Sequence, residues 1–232
     1  MKIKKDLKRL LSKLVVFTFI STLLPTNFIE TFATGTEKKV QILATTDLHG
    51  KFVPYEYARA TKSDGGWTQI STLVQQQKIL NENTIVVDNG DTIQGNYNHL
   101  FLDDAVNPMI LAMEDIGYDS YSFGNHEFNF GMDKLFEITT QSENANIAAL
   151  CANLYKDGSR VFDAYNMETM PNGIKIATIG VVTPHIDKWD GPHLVGYTPT
   201  NPVTEVSKVI DEIEAAGGVD LYVVTAHMGF DS

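Results

Sequence analysis

The chain has 232 residues, of which 43% are hydrophobic and 20% charged, and its formal net charge is −11. This length and composition predict a globular protein with one large domain. Because nucleic-acid polymers are bound through clustered Lys and Arg, the acidic charge argues against them as partners. It leaves open a small phosphorylated substrate whose contacts are mediated by cations.

Residues 1–33 are predicted to be a signal peptide. A basic stretch ends at Lys13, an apolar run covers residues 14–24, and Pro25 and small residues near Ala33 follow. The run is shorter than the roughly 20 apolar residues that a membrane-spanning helix needs. We therefore expect an exported protein, secreted or associated with the cell envelope, without a stable membrane span; a retained anchor is the alternative.

The rest of the chain, residues 38–232, is predicted to form one domain in which strands and helices alternate. Strands are expected at residues 40–46, 84–88, 118–123, 146–150 and 220–229, and helices at residues 68–80, 107–116 and 201–216 and after Gly131. The turn at residues 171–173 lies between two consecutive strands and indicates antiparallel pairing at a sheet edge or in a second sheet. Cys151 is expected to be a small buried hydrophobe.

Inward-facing side chains are predicted in two further places. The helix at residues 68–80 is expected to turn Ile70, Leu73, Val74 and Ile79 toward the core, and the strand at residues 220–229 is expected to be buried. Trp189 lies in a predicted loop and is expected to pack against other side chains. His99 has no partner at ligand spacing and is expected to be a surface or secondary substrate-side residue, and His185 and His193 lie in the same predicted loop as Trp189 and are not expected to have a direct role.

Four predicted strands end in residues that can bind a divalent metal, namely Asp47 with His49, Asp91, Asn125 and His227. Because ligands of α/β sheets bind at the carboxyl ends of the strands, these side chains are expected to converge. Mixed Asp, His and Asn ligands suit Zn, Mn, Fe or Co. Taken alone, Asp47-x-His49 is more typical of a polar turn closed by Gly50 than of a metal site. Asp91 is the candidate to bridge two ions.

These segments together resemble a known family. The set Asp47-x-His49, Gly90-Asp91, Gly124-Asn125-His126-Glu127 and Ala226-His227-Met228-Gly229 is similar, in order and approximate spacing, to the calcineurin-like metallophosphoesterases. Within them, the chain looks most like the exported branch of 5'-nucleotidases and 2',3'-cyclic-nucleotide 2'-phosphodiesterases (3'-nucleotidases), in their N-terminal catalytic domain.

The resemblance implies an α/β fold, an α/β/β/α sandwich of two mixed sheets flanked by helices. It also implies two divalent metal ions: Asp47 and His49 would bind the first, Asp91 would bridge, and Asn125 and His227 would bind the second. His126, next to Asn125, would be the catalytic histidine beside the leaving group, and Glu127 would have a structural part. A hydroxide held between the two ions would attack phosphorus in line.

Two departures from the family pattern bear on the substrate. Asn129 stands where 5'-nucleotidases typically have an Asp that pairs with the catalytic histidine, and this favours 2',3'-cyclic nucleotides and 3'-nucleotides. The family's Gly-His-x-His segment and nucleotide-recognition domain are expected after His227, and the sequence ends at Ser232. The fold is therefore expected to be incomplete at its C-terminus. The alternatives are a 5'-nucleotidase and an inactive metal-binding or nucleotide-binding remnant.

Overall fold

Two β-sheets form the centre of the fold in the computed structural model, which describes residues 37–56 and 59–229. The first sheet has the spatial order β1 (Gln41–Thr45), β4 (Thr84–Asp88), β5 (Ser120–Ser122) and β6 (Ala148–Leu150), and all its strands are parallel. The second has the order β12 (Leu221–His227), β10 (Lys175–Val182) and β9 (Tyr165–Thr169). In it β12 runs parallel to β10, and β9 runs antiparallel, as the turn at residues 171–173 predicts.

The remaining elements flank these sheets. The helices are α1 (Trp67–Leu80), α2 (Pro108–Ile116), α3 (Met132–Asn144), α4 (Ile186–Asp190) and α5 (Pro202–Ala215), with short 3-10 helices at Asn98–Phe101, His126–Phe128 and Gly191–His193. Two small antiparallel sheets pair β2 (Tyr55–Glu56) with β3 (Thr61–Lys62), and β11 (Tyr197–Pro199) with β7 (Leu154–Lys156) and β8 (Ser159–Arg160). The predicted signal peptide lies outside the described residues.

The order of the layers follows from the alternation of side chains along β10. Ala177, Ile179 and Val181 form one buried cluster with Val209 and Ile213 of α5. Ile176, which precedes them in β10, clusters instead with Ile85 and Val87 of β4, in the first sheet. Successive side chains of a strand point to opposite faces, so β10 is covered on both sides.

The other face of the first sheet carries the largest core cluster, in which Val86 of β4 packs with side chains of α1, α2 and α3. The fold is therefore an α/β/β/α sandwich, as predicted, but the prediction that both sheets are mixed is wrong for the first, whose described strands are all parallel. A Cβ atom at Gly180 of β10 would overlap Leu150 and Ser122 of the first sheet, so this glycine lets the two sheets approach closely.

Two helices begin as their sequences predict. The side chain of Asn107 accepts a hydrogen bond from the amide of Met109 at the start of α2, and Asn201 accepts one from Thr204 at the start of α5. Pro follows each cap in the first helical turn, where its missing N–H costs nothing. Each such cap contributes about 1 kcal/mol.

Two predictions about burial are wrong. Leu73 and Ile79 of α1 are 58% and 85% exposed, because this helix buries only a narrow stripe that includes Trp67 and Val74. The strand before His227 is partly exposed, with Val224 at 43%, since β12 is an edge strand of the second sheet in the described part of the chain. Cys151 is fully buried, as predicted. No helix within the described ranges is long and apolar enough to cross a membrane.

Candidate metal centre

The loops that follow β1 and β4 run side by side at the carboxyl end of the first sheet. The amide of Asp47 donates to the carbonyl of Gly90 at 3.0 Å, and the amide of His49 donates to the carbonyl of Asp91 at 2.9 Å. The pairing of the two strands thus continues into the loops beyond them. This backbone ladder brings three of the predicted ligands to one edge of the sheet.

These three residues share an unusual backbone conformation. The φ angles of Asp47, His49 and Asp91 are 56°, 46° and 59°, in the left-handed region that residues other than glycine rarely adopt. Each such residue costs about 1 to 3 kcal/mol and persists only where the surrounding structure enforces it. Such strain is typical of functional sites, and here the ladder between the two loops enforces it.

The loops after β4 and β5 meet at two glycines. A Cβ atom on either Gly90 or Gly124 would overlap the opposite loop, so both positions require glycine for this close approach. The fully buried carboxylate of Glu127 accepts hydrogen bonds from the amides of Asp91, Thr92 and Gly124 at 2.8, 2.8 and 2.7 Å. Burial and the charge of Asp91 raise the pKa of Glu127 despite these amide bonds. Glu127 therefore fastens one loop to the other.

The metal-competent side chains form two groups that share one carboxylate. The first consists of Asp47, Asp91 and His227 and the second of His49, Asp91 and His126, and in each group the donor atoms lie within 4.8 Å of one another. Oδ2 of Asp91 lies 3.3 Å from Nε2 of His227 and 3.8 Å from Nε2 of His49. One buried carboxylate oxygen thus faces an imidazole from each side.

Two of the imidazoles are held in the orientation that metal ligands require. Nδ1 of His49 donates to the backbone carbonyl of Gln94 at 3.1 Å, and Nδ1 of His227 donates to that of Asn89 at 2.7 Å. With the proton on Nδ1, the Nε2 lone pair of each neutral ring points toward the carboxylates. The donor set therefore fits divalent cations.

The pKa values of the cluster also show that its carboxylates stabilise a positive charge. Burial lowers the pKa of His227, but its hydrogen bond to Asp91 and the negative charge there outweigh burial and raise the pKa to about 9. For Asp91, burial raises the pKa, while His227 and the amide of His126 lower it to a net value below the usual range. A proton on His227 thus supplies the positive charge that a bound cation would supply.

Asn125 lines an open cavity of about 230 Å³ at the junction of the two sheets, together with Asp47, His227 and Trp189. The structure thus brings Asn125 to the same site as the ionisable ligands, although Asn125 follows a strand of the first sheet and His227 ends a strand of the second. The prediction that Trp189 packs away from solvent is wrong, since it is 62% exposed at this cavity.

His126 also lies in the cluster. Its ring centroid is 5.2 Å from that of His49, and its backbone amide donates to Oδ1 of Asp91 at 2.8 Å. Its Nδ1 is hydrogen bonded to Oδ1 of Asn129 at 2.6 Å. By distance alone His126 groups with the ligands. By contrast, His185 and His193 belong to neither donor group found within the described ranges.

Three residues that complete the site were missed by sequence reasoning. Asn89 and Gln94 orient His227 and His49 through their carbonyls, and the polar run around Asp91 was a signal that could have included them. The third, Asp190, is 5% exposed and accepts a hydrogen bond from Asn129 at 2.9 Å. It follows β10 within a segment interpreted as loop, so no sequence signal singled it out.

A family profile described as calcineurin-like phosphoesterase matches residues 40–232. The 2',3'-cyclic-nucleotide 2'-phosphodiesterase/3'-nucleotidase of Salmonella typhimurium is 30% identical over 92% of this chain, and a 5'-nucleotidase of Vibrio vulnificus is 33% identical over 85%. This chain spans 35% of the length of each of these relatives.

The crystal structure of the calcineurin-like phosphoesterase YfkN from Bacillus subtilis has a TM-score of 0.73 and 30% identity to this chain. The match covers 82% of this chain and 62% of that one. The residues that the family profile matches include both sheets of the described fold and the strand ends that carry the donor groups.

Proposed function

Because the chain belongs to the calcineurin-like phosphoesterase family, whose members are hydrolases of phosphoric esters, we propose that it is the catalytic domain of a metal-dependent nucleotide phosphohydrolase. We assign it 2',3'-cyclic nucleotides and 3'-nucleotides as substrates. The observation that carries the proposal is the carboxylate of Asp91, shared by two donor groups at the carboxyl ends of the strands.

The proposed ligands are those of the sequence prediction. Asp47 and His49 would hold one divalent ion, Asp91 would be shared by both, and Asn125 and His227 would hold the second; Zn, Mn, Fe or Co would suit these ligands. The shared position of Asp91 supports its bridging role, and the Nδ1 bonds that aim both imidazoles inward support His49 and His227 as ligands. The division of the other ligands between the two ions follows the family resemblance. When bound, such ions neutralise phosphate oxygens and lower the pKa of water.

The chain's own residues have two tasks in this reaction. The acidic cluster binds an anionic phosphoester only with cations in place, because Asp47 and Asp91 alone would repel it. His126 is assigned to the substrate: its Nδ1–H is engaged by Asn129, so Nε2 is the nitrogen that carries the second proton of the imidazolium form and gives it to the departing ribose oxygen, which leaves the ring neutral.

A 5'-nucleotidase is the second candidate, favoured by the relative from Vibrio vulnificus that carries this name. The two candidates differ in the atom that leaves phosphorus, a ribose 2' or 3' oxygen in one and the 5' oxygen in the other. The amide Asn129 beside the catalytic histidine supports the first, by resemblance to cyclic-nucleotide phosphodiesterases.

The proposal is tested by measuring phosphate and nucleoside release from 2',3'-cyclic AMP, 3'-AMP and 5'-AMP with Mn²⁺, Zn²⁺ or Co²⁺ and with a chelator. We expect metal-dependent turnover with preference for the first two substrates, and two ions per chain by elemental analysis. Preference for 5'-AMP would favour the second candidate. Metal binding without turnover would mean an inactive remnant.

Two variants separate the proposed roles. Asp91→Ala is expected to lose both ions, whereas His126→Ala should keep them and lose about 10² to 10⁴ in kcat, the usual contribution of a general acid. If Asp91→Ala retained two ions, the bridging role would be refuted.

Export is a separate part of the proposal, with residues 1–33 as the signal peptide and residues 38–232 as the catalytic domain. Its support is the order of basic, apolar and small residues in the first segment. Sequencing the N-terminus of the protein recovered outside the cytoplasm tests it, with a start near Thr34 as the expected result.

A further inference from the structure

A line of hydrogen bonds leads from His126 away from the metal-competent groups and ends at a buried carboxylate. Nδ1 of His126 meets Oδ1 of Asn129 at 2.6 Å, and Nδ2 of Asn129 donates to Oδ1 of Asp190 at 2.9 Å. Asp190 is the last residue of α4 and is 5% exposed. Asp190 enters from the segment after β10, in the second sheet, whereas His126 follows β5 in the first.

The carboxylate decides which way the Asn129 side chain points. An ionised carboxylate can only accept hydrogen bonds, so the amide NH₂ of Asn129 must face Asp190. The amide oxygen is then left to face His126, and an oxygen there requires a proton on Nδ1 of the imidazole. Without Asp190, the amide could rotate and present its NH₂ to an imidazole protonated on the other nitrogen.

The burial of Asp190 is itself unexplained by packing. Its Oδ2 is buried and has no hydrogen-bond partner among the residues that the structure describes. A buried carboxylate with one unmatched oxygen costs free energy, and each such group in a native structure calls for an explanation. A role in orienting the imidazole through Asn129 provides one.

We propose that Asp190 is a positioning residue that fixes the tautomer and orientation of His126 through Asn129. This inference rests on the proposed function for its catalytic consequence, but the tautomer itself can be observed without turnover. In this arrangement Asn129 and Asp190 together orient the imidazole as a single carboxylate does where an Asp stands at the position of Asn129. Nε2 is then the nitrogen left free to take up the proton that the imidazolium gives to the substrate.

The test replaces Asp190 with a neutral residue of the same shape and reads the tautomer directly. In ¹⁵N-labelled protein without metal, at about two pH units above the ordinary imidazole pKa of about 6.5, the two ring nitrogens have distinct shifts in each tautomer. We expect His126, assigned by its loss in His126→Gln, to be protonated on Nδ1 alone. In Asp190→Asn it should become a mixture of both tautomers.

Kinetics provide the second reading. Asp190→Asn is expected to lower kcat about 10-fold, the usual cost of removing a group that orients a side chain at a metal site, with little change in KM. The matched control is Asp187→Asn, which makes the same charge change at an exposed position of the same helix and should alter neither the tautomer nor kcat.

A rescue experiment separates positioning from general structural support. The double variant that combines Asn129→Asp with Asp190→Asn moves the carboxylate next to His126, where it accepts from Nδ1 directly. The single Nδ1 tautomer and most of kcat should return. If the variant Asp190→Asn does not fold, Asn129→Ala interrupts the same line from its other end and should give the same mixture of tautomers.

Unchanged tautomer populations in a folded Asp190→Asn variant would overturn the inference, as would a double variant no better than Asp190→Asn. If the wild-type protein turned over none of the three nucleotides, the proposed function would fail while the tautomer measurement would still decide the role of Asp190.

Discussion

The polar residues at the strand ends differ in what they touch. Asp88 and Glu127 are fully buried and bind only protein groups, and we call them the floor of the site. The rim consists of Asp47, His49 and His227, whose side chains are 54%, 33% and 14% exposed and face one another. Asp91 joins the two, since Oδ1 accepts from the His126 amide while Oδ2 faces the rim imidazoles. Carboxylates only a few residues apart thus have different roles: those of the floor stabilise the fold, and those of the rim and Asp91 are placed to bind a cation.

The largest expected effect is on the floor. Glu127→Ala leaves four backbone amides without their acceptor, and since each buried unsatisfied group costs about 1 to 3 kcal/mol, the free energy of unfolding should fall by about 4 kcal/mol or more. Urea denaturation measures this loss. Glu143→Ala, at an exposed position, is the control and should stay within about 0.5 kcal/mol of wild type. If Glu127→Ala lowered the free energy of unfolding no more than the control does, Glu127 would not be part of the structural floor.

The second prediction concerns the pH dependence of stability. Burial raises the pKa of Asp88 from 3.8 to about 7, even though Thr45, Thr92 and Gly90 donate to its oxygens. The folded state therefore binds this proton more tightly than the unfolded state, and stability is lost as the pH rises from about 4 to about 7. At about 1.36 kcal/mol for each pKa unit, the loss is about 4 kcal/mol.

Asp88→Asn should lack this component, so the difference between the wild-type and variant unfolding free energies should change across that pH window and be constant above it. Urea titrations at several pH values measure both curves. Parallel curves would show that Asp88 titrates alike in the folded and unfolded chains.

The third prediction concerns metal binding by Asp91, which joins the floor to the rim. Asp91→Asn keeps an acceptor for the amide of His126 but removes the shared charge, so metal affinity should fall more than about 100-fold while unfolding changes much less than in Glu127→Ala. Calorimetric titration with Mn²⁺ measures the affinity, and the exposed Asp133→Asn is the control. If Asp91→Asn lowered the free energy of unfolding as much as Glu127→Ala does, the role of Asp91 would be structural, like that of the floor residues.

The smallest effect is expected at the outer edge. Trp189 is 62% exposed at the cavity, whereas Trp67 is buried in the core. Stacking of a base on an aromatic ring contributes about 1 to 3 kcal/mol, so Trp189→Ala should raise KM for nucleotides about 10-fold without changing stability. Kinetics with 3'-AMP test this, with the exposed Val195→Ala as the control. An unchanged KM would exclude contact between Trp189 and the base.

The convergence of the rim residues with Asp91 and Asn125 could be predicted from the sequence. The burial of the floor residues largely could not. Asp47, His49, Asp91, Asn125 and His227 each follow an apolar strand, and parallel strands deliver their ends to one edge, so local pattern sufficed. The burial of Asp88 and Glu127 depends on which loops pack over them. Asp190 depends on contacts between segments 61 residues apart in the chain. Likewise, the exposure of Leu73 and Trp189 follows from tertiary packing, which the periodicity of hydrophobic residues in the sequence does not predict.

The contact between Gly90 and Gly124, closed by the hydrogen bonds of Glu127 to four backbone amides, has a consequence for the motions of the protein. Amide protons held by a fully buried acceptor exchange with solvent only when a large cooperative unit opens. We therefore expect the amides of Asp91, Thr92 and Gly124 to be among the slowest to exchange deuterium, although they lie in loops. The part of the molecule nearest the chemistry would then be among the last to open.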